Sequence, residues 1–260
     1  MVDVVVPGIP ASVASVPEVP TAGILIIGNE ILTAKVQDEN TPYLLKGLRA
    51  RGIDVPRVHV IPDVVEEIAD EVRTFSERFD FVLTAGGVGP THDDVTMEGV
   101  ARAFGEKLSC HSQMEGLLRG AIKGAEPNQS QLKMCQLPES AELIETPDLW
   151  FPLVQVHNVY VFPGIPRLLQ LKFDAVADRF VGAPVFLRRV YVSLMETDLA
   201  HWLNELLEEF PALGLGSYPQ STPEGYRTLL TLESRDTNYV ERALQVLVAR
   251  IPPAALTRVE

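Results

Sequence analysis

The chain has 260 residues, 46% of them hydrophobic, with a mean hydropathy of +0.11, enough for one large core or two modest ones and without a run long and apolar enough to span a membrane. Its 22 basic and 35 acidic residues give a formal charge of −13, which excludes a broad nucleic-acid or anionic-membrane surface but leaves local phosphate binding by backbone N–H groups and helix N-termini open. The two cysteines, Cys110 and Cys135, lie in no CxxC pair and near no Cys/His set, so no zinc or iron–sulfur site is expected and the thiols read as reduced.

Residues 1–21 are apolar but broken by Pro7, Pro10, Pro17 and Pro20, and lack the basic flank of a signal peptide. They are expected to form a disordered tail on a cytoplasmic protein. AGILIIG (22–28) is a continuous apolar run that suits a strand buried on both faces. A helix over 38–52 follows, with Leu44, Leu45 and Leu48 on one face and Gly52 past its end. A strand (55–61), a helix (63–79, with Ile68, Val72 and Phe75 at helical spacing), a strand (80–87) and a helix (96–105, with Thr96 as N-cap) come next. This alternation predicts a layered α/β fold with a mostly parallel sheet.

After a helix over 112–123, the polar stretch 124–144 carries no clear period. WFPLVQV and NVYVFPG read as strands joined by a turn at His157 and Asn158, followed by a helix over 165–182. Gly182-Ala183-Pro184 marks the expected boundary between a domain at 22–183 and a smaller one at 184–260. The second reads as a βαββα unit, ferredoxin-like or KH-like.

In open α/β sheets, ligands collect outside the carboxyl ends of the strands. Three polar segments leave such ends here: GNEIL with Gly28, Asn29 and Glu30; PD with Asp63; and GGVGPTHDD with Gly86, Gly87, Gly89, Pro90, Thr91, Asp93 and Asp94. The glycines read either as turn formers or as an anion nest whose N–H groups hold a phosphate. The aspartates read either as caps at helix N-termini or as oxygen ligands for a divalent cation. An adjacent like-charged pair, Asp93 and Asp94, is poorly explained by capping alone. Glu30 and Asn40 are positioned to join from the first loop. His59, His92, His111, His157 and His201 show no ligand spacing, and Trp150 and Phe151 are candidates for stacking on a ring or for ordinary packing.

GNEILTAKVQDENTPYL, VIPD, TAGGVGPTHDDVTMEGVARAFG and VYVFPGIP, in that order, resemble the molybdopterin-binding domain family, and within it the CinA-type and FAD synthase branch. The resemblance runs from about Ala22 to the C-terminus and includes LGLGSYP in the second unit. It implies a three-layer α/β/α domain that binds a phosphorylated pterin or a dinucleotide at the strand ends. By resemblance to pterin-adenylylating relatives, Asp63 and Asp94 are the essential carboxylates, and Pro163 and Gly164 belong to the ligand-binding edge. In CinA-type relatives the same site hydrolyses the pyrophosphate of ADP-ribose or FAD with a divalent metal (Mg2+ or Co2+) and K+, which here implies Asp63, Asp93 and Asp94 as metal ligands. Relatives also form dimers or trimers. The chain has GGVG followed by DD rather than the GGTG and RD of adenylylating relatives, and TPDLWFPLVQ where CinA proteins carry GTAPG. Asn128, Gln131 and Lys133 occupy positions where relatives place polar contacts. The sequence to residue 260 includes no deamidase or FAD-synthetase domain, so FAD synthesis is not expected of it unless it is a fragment of a longer protein. Three functions remain in view: a metal-dependent pyrophosphatase releasing AMP, a molybdopterin-binding protein of molybdenum cofactor biosynthesis, and a non-catalytic nucleotide-binding regulatory module.

Overall fold

The computed structural model of the chain describes residues 19–260 except Gly124, Asp148, Trp150 and 222–224; the expected tail and the ring of Trp150 thus lie largely outside the described residues. The first part runs β1 (Thr21–Ile27), α1 (Asn29–Leu32), α2 (Asn40–Ala50), β2 (Asp54–Ile61), α3 (Val65–Arg78), β3 (Phe81–Ala85), α4 (Thr96–Phe104), β4 (Leu108–Cys110), α5 (Ser112–Ala121), α6 (Gln129–Lys133), β5 (Gln136–Pro138), β6 (Glu142–Ile144), β7 (Leu153–Val156), β8 (Val159–Phe162) and α7 (Pro166–Val176).

The main sheet has the order β2-β1-β3-β8-β7-β6. Its first four strands are parallel, and β7 and β6 add antiparallel at one edge. The apolar run of β1 lies between β2 and β3, with Ala22, Ile24, Leu25, Ile26 and Ile27 all buried. Side chains alternate across the pleat. Leu25, Ile27, Val82 and Val161 pack with Ile68, Val72 and Phe75 of α3, Val100 of α4 and Met114 and Leu118 of α5. Ile24, Ile26, Leu83 and Phe162 pack on the other face with Leu44 and Leu48 of α2 and Leu169, Phe173 and Val176 of α7. Two helical layers therefore sandwich one sheet, as the family resemblance implies.

The differences from the sequence reading are local. The polar stretch holds α6, closed by a capping box between Asn128 and Gln131, and the short strands β5 and β6. The helix expected over 165–182 ends at Val176 and tightens into a 3-10 turn over Ala177–Arg179. Val95, not Thr96, is the N-cap of α4, and α3 begins at Val65, after Asp63.

The second part runs β9 (Phe186–Val192), α8 (Glu196–Glu209), β10 (Gly214–Pro219), β11 (Thr228–Ser234), α9 (Thr237–Arg250) and β12 (Leu256–Val259). The sheet order is β10-β11-β9-β12, with every neighbour antiparallel. The βαββα expectation thus gains a fourth strand, which selects the ferredoxin-like of the two alternatives. Its core joins Val190, Val192, Leu230 and Leu232 to Leu199, Leu203 and Leu206 of α8 and Val240, Ala243 and Leu247 of α9. Among the described residues no helix is long and apolar enough to cross a membrane.

Arg235 ties the two parts together. Its guanidinium donates to the carbonyl oxygens of Gly52 (3.0 Å) and Ala183 and to Asp54 Oδ1 at 2.8 Å, and Arg49 pairs with Glu233 alongside. Arg235→Ala removes three charge-assisted hydrogen bonds at a partly buried junction. We expect a loss of about 1–3 kcal/mol in chemical denaturation, with faster proteolysis at residues 182–185 while both cores stay folded.

Candidate functional site

The glycine loop is fixed by backbone contacts that a side chain would break. Gly86 has φ 112°, and a Cβ there would lie 2.0 Å from the Ile27 carbonyl oxygen; Gly87 has φ 62°, and a Cβ would lie 2.4 Å from Thr96 Oγ1. Gly86 N–H donates to the Phe162 carbonyl at 3.2 Å, so the ends of β1, β3 and β8 meet at one point. Thr96, fully buried at the first turn of α4, donates from Oγ1 to the Gly86 carbonyl at 2.8 Å and from its N–H to the Gly87 carbonyl at 3.0 Å. The backbone N–H groups of Gly87, Val88 and Gly89 have no acceptor among the described residues. Three successive free donors are what an anion nest requires.

Asp93 and Asp94 do not cap α4. Both carboxylates converge on the Thr91 hydroxyl, which lies 2.6 Å from Asp93 Oδ1 and 2.5 Å from Asp94 Oδ2. Thr91 N–H also donates to Asp94 Oδ2 at 2.7 Å. The Thr91 hydroxyl holds the Asp93 carboxyl below its ordinary range. Lys133 Nζ donates to the Thr91 carbonyl, so the cation expected from the α6 region reaches this loop. Pro90, Thr91 and His92 are exposed on its outer side.

Asp63 approaches from the end of β2. Its Oδ2 accepts from Asn29 N–H at 2.8 Å, while Oδ1 lies 3.5 Å from where a Gly87 Cβ would stand. Gly28 N–H donates to the Ile61 carbonyl at 3.1 Å. Glu30, Asn40 and Gly164 line a separate cavity of about 40 Å³. There the buried Asn40 donates to the Gly164 carbonyl at 2.8 Å, and its Oδ1 has no partner among the described residues. The residues singled out in the sequence therefore form two adjoining groups: the glycine loop with Asp63, Asp93 and Asp94, and the pocket around Asn40.

The glycine loop faces a larger cavity of about 100 Å³. Gly87, Gly89, Asp94, Lys133 and Pro163 contribute to its wall, with apolar residues including Met97, Phe151 and Val161. It also contains Lys172, which the sequence reading passed over. Lys172 is 1% exposed; its Nζ donates to the Phe151 carbonyl at 2.7 Å and to Thr146 Oγ1 at 3.4 Å, and sits 3.9 Å from the Phe151 ring centroid. A signal was present, since Lys172 falls on the apolar stripe Leu169, Phe173 and Val176 of α7, where a lysine is out of pattern.

Among the described residues no group of three or more His, Cys, Asp or Glu side chains is gathered to hold a metal ion. Asp93 and Asp94 do offer hard oxygen donors beside the nest, so a divalent cation fits there only if phosphate oxygens and water complete its shell.

Burial pushes the Lys172 ammonium down to about 7. Its folded pKa lies below its unfolded one, so the destabilisation is complete below pH 7 and fades as pH rises toward the unfolded value. We expect Lys172→Met to be more stable than the parent by on the order of a few kcal/mol below pH 7. That advantage should shrink between pH 7 and about 10 in denaturant titrations.

Residues 23–182 match the family model described as a probable molybdopterin binding domain, and residues 184–260 match the FAD synthase middle domain. The chain is 35% identical over 222 residues to a protein of Archaeoglobus fulgidus, covering 85% of this chain and 94% of that one. It is 30% identical over 265 residues to a probable FAD synthase of Caenorhabditis elegans, covering 89% of this chain and 50% of that one. It thus spans about half the length of the probable FAD synthases it matches. A CinA-like protein of Myxococcus xanthus is 32% identical over 195 residues, covering 68% of this chain and 46% of that protein. The crystal structure of CinA from Thermoplasma acidophilum superposes with a TM-score of 0.59 at 29% identity, covering 63% of this chain and 99% of that one. With the glycine loop, the parallel sheet and the second unit all accounted for, the chain belongs to the molybdopterin-binding domain family and carries the FAD synthase middle domain after it.

Proposed function

We propose that the chain binds a dinucleotide at the glycine loop and hydrolyses its pyrophosphate, releasing AMP from FAD or an ADP-ribose-type compound. The observation that carries this reading is the row of N–H groups at Gly87, Val88 and Gly89, without an acceptor among the described residues, in a loop that lines a cavity together with Asp94. Such a row accepts the charge of a pyrophosphate without a basic surface. Asp63 Oδ1 has no donor among the described residues and lies 3.5 Å from where a Gly87 Cβ would stand; in this reading it takes a proton from the attacking water. Water oxygen then bonds to the phosphorus of the AMP half, the anhydride P–O bond breaks, and the second phosphate leaves as a monoester. A divalent cation held by Asp93 and Asp94 with phosphate oxygens would supply charge neutralisation there. The anionic pair beside the nest would otherwise repel the substrate.

A second reading, binding of a phosphorylated pterin for molybdenum cofactor assembly, is favoured by the description of the family model. It uses the same nest without the hydrolytic step.

Purified protein with Mg2+ or Co2+ should release AMP from FAD, ADP-ribose or both. Asp94→Asn should lower kcat by about 100-fold or more while the fold is retained. Absence of AMP from either compound with every metal tested would remove the hydrolytic reading. Tight pterin binding under the same conditions would then support the second.

A further inference from the structure

The sheet of the second unit has helices on one side only. Val190, Val192, Leu230 and Leu232 face α8 and α9. By the alternation of a pleated strand, Leu187, Arg189 and Tyr191 of β9 and Leu229 and Thr231 of β11 take the other face, and none of them joins that core. Cross-strand register sets Tyr218, Leu229, Tyr191 and Arg258 in one row over all four strands. Tyr226 meets the Tyr191 ring edge to face at 4.9 Å, and the Arg258 guanidinium lies 4.0 Å from the centroid of the same ring. On the edge strand β10, Gly216 puts no side chain on this face, and a Cβ there would lie 2.8 Å from the Tyr218 ring, which folds back over it. The floor is therefore apolar and aromatic, and Tyr218 is 53% exposed upon it.

The unpaired charge around this floor is positive. Residues 184–260 hold seven arginines and no lysine. Arginine is the cation favoured at interfaces, because its planar fork grips a carboxylate with two hydrogen bonds. Arg188, Arg235 and Arg250 are engaged by Glu241, Asp54 and Glu209. Arg189, and Arg227 exposed just before β11, have no acidic partner among the described residues. Arg258 shares Glu260 with the Tyr191 hydroxyl, and Glu233 is taken by Arg49 at the junction. An apolar floor with free guanidinium groups calls for an apolar, anionic occupant. A nucleic-acid strand would match the arginines, but a chain of charge −13 opposes a long polyanion beyond them. An extended peptide lying on the face would leave its own backbone groups unpaired, since those of the sheet are consumed between strands. A helix satisfies its backbone internally, and its breadth of about 10–12 Å compares with the roughly 14 Å between the outer of four strands. We propose that this open sheet face docks an acidic amphipathic helix of a partner polypeptide, with its apolar stripe on Leu187, Leu229 and Tyr191 and its carboxylates on Arg189, Arg227 and Arg258. The surface uses no residue of the glycine loop and is independent of the hydrolytic reading.

The test titrates the whole chain into two fluorescently labelled synthetic peptides that share one leucine stripe at helical spacing. One carries glutamate at its charged positions and its twin carries lysine. Fluorescence anisotropy should show the glutamate peptide binding with a Kd on the order of 10 µM, weakening as salt is raised, and the lysine twin not binding. Circular dichroism should show the glutamate peptide gaining helix when bound. Arg189→Glu combined with Arg227→Glu should weaken binding at least about 10-fold, and Leu229→Ala about 5-fold. If Leu229→Ala unfolds the second unit, the exposed Tyr218→Ser reads the same floor and should weaken binding by a similar factor. Equal binding of the two peptides, binding of neither, or binding that the arginine variants leave unchanged would overturn the docking surface. Binding without a gain of helix would overturn the helical occupant. Tighter binding of a single-stranded oligothymidylate through the same arginines would overturn the proposal in favour of a nucleic acid. Sedimentation of the unliganded chain as an oligomer that the arginine variants dissociate would overturn it in favour of a second copy.

Discussion

The meeting of three strand ends at Gly86 is the constraint on which the rest of the site depends. Gly86 is hydrogen-bonded to the end of β8 and stands so close to the end of β1 that a Cβ would overlap the Ile27 carbonyl. Because the backbones touch there, the chain must leave β3 in a conformation that turns Gly87, Val88 and Gly89 toward open space rather than back onto the sheet. Thr96 then fixes the other end by bonding both Gly86 and Gly87 carbonyls from the first turn of α4. Carbonyls are consumed inside the fold and amides are left outside it. Under the proposed function, the loop's preference for an anion follows from that division of hydrogen bonds.

The chain carries a charge of −13, but the cavity beside the glycine loop has two acids, Asp94 and Glu98, and two bases, Lys133 and Lys172, on its walls. The two bases differ in what they can do. Lys133 is partly exposed and reaches the Thr91 carbonyl, so it braces the loop and offers a charge near its phosphate side. Lys172 is enclosed, and its charge is opposed by desolvation. It is better suited to short-range donation than to attraction over distance. Steering of an anionic ligand therefore rests on the nest and Lys133.

Much of the architecture was legible in the sequence because the long elements carry their own period. The apolar run of β1 reads as doubly buried, and Ile68, Val72 and Phe75 mark the inner face of α3. The segment 129–144 was not legible, since α6, β5 and β6 span five, three and three residues, too few for a period to emerge. The same holds for the four-residue β12, which follows Pro252 and Pro253 and whose role appears only through pairing with β9. At the site, the glycines and aspartates were visible as residue types. Their partners were not. Nothing local in THDD tells whether the carboxylates turn to the helix start or to Thr91, because both arrangements are within reach of two adjacent side chains. Nor does it show that Asn40 would be drawn into a different pocket by the Gly164 carbonyl, a contact 124 residues apart.

The Thr91 arrangement also bears on how a phosphate could occupy the nest. One hydroxyl has a single hydrogen to donate, so Asp93 and Asp94 cannot both be satisfied by it at once. The carboxyl of Asp93 is held below its ordinary range, so it stays charged well into acid. The second carboxylate is oriented by the Thr91 N–H, and Gly89 passes so close that a Cβ would lie 2.7 Å from its Oδ2. Two like charges are thus held within reach of one hydroxyl, beside donors that would attract a further anion. Repulsion at such separation is strong where water is partly excluded. A bound phosphate would therefore either displace the pair from Thr91 or arrive with a cation between them, and only the second course keeps every donor and acceptor of the loop in use.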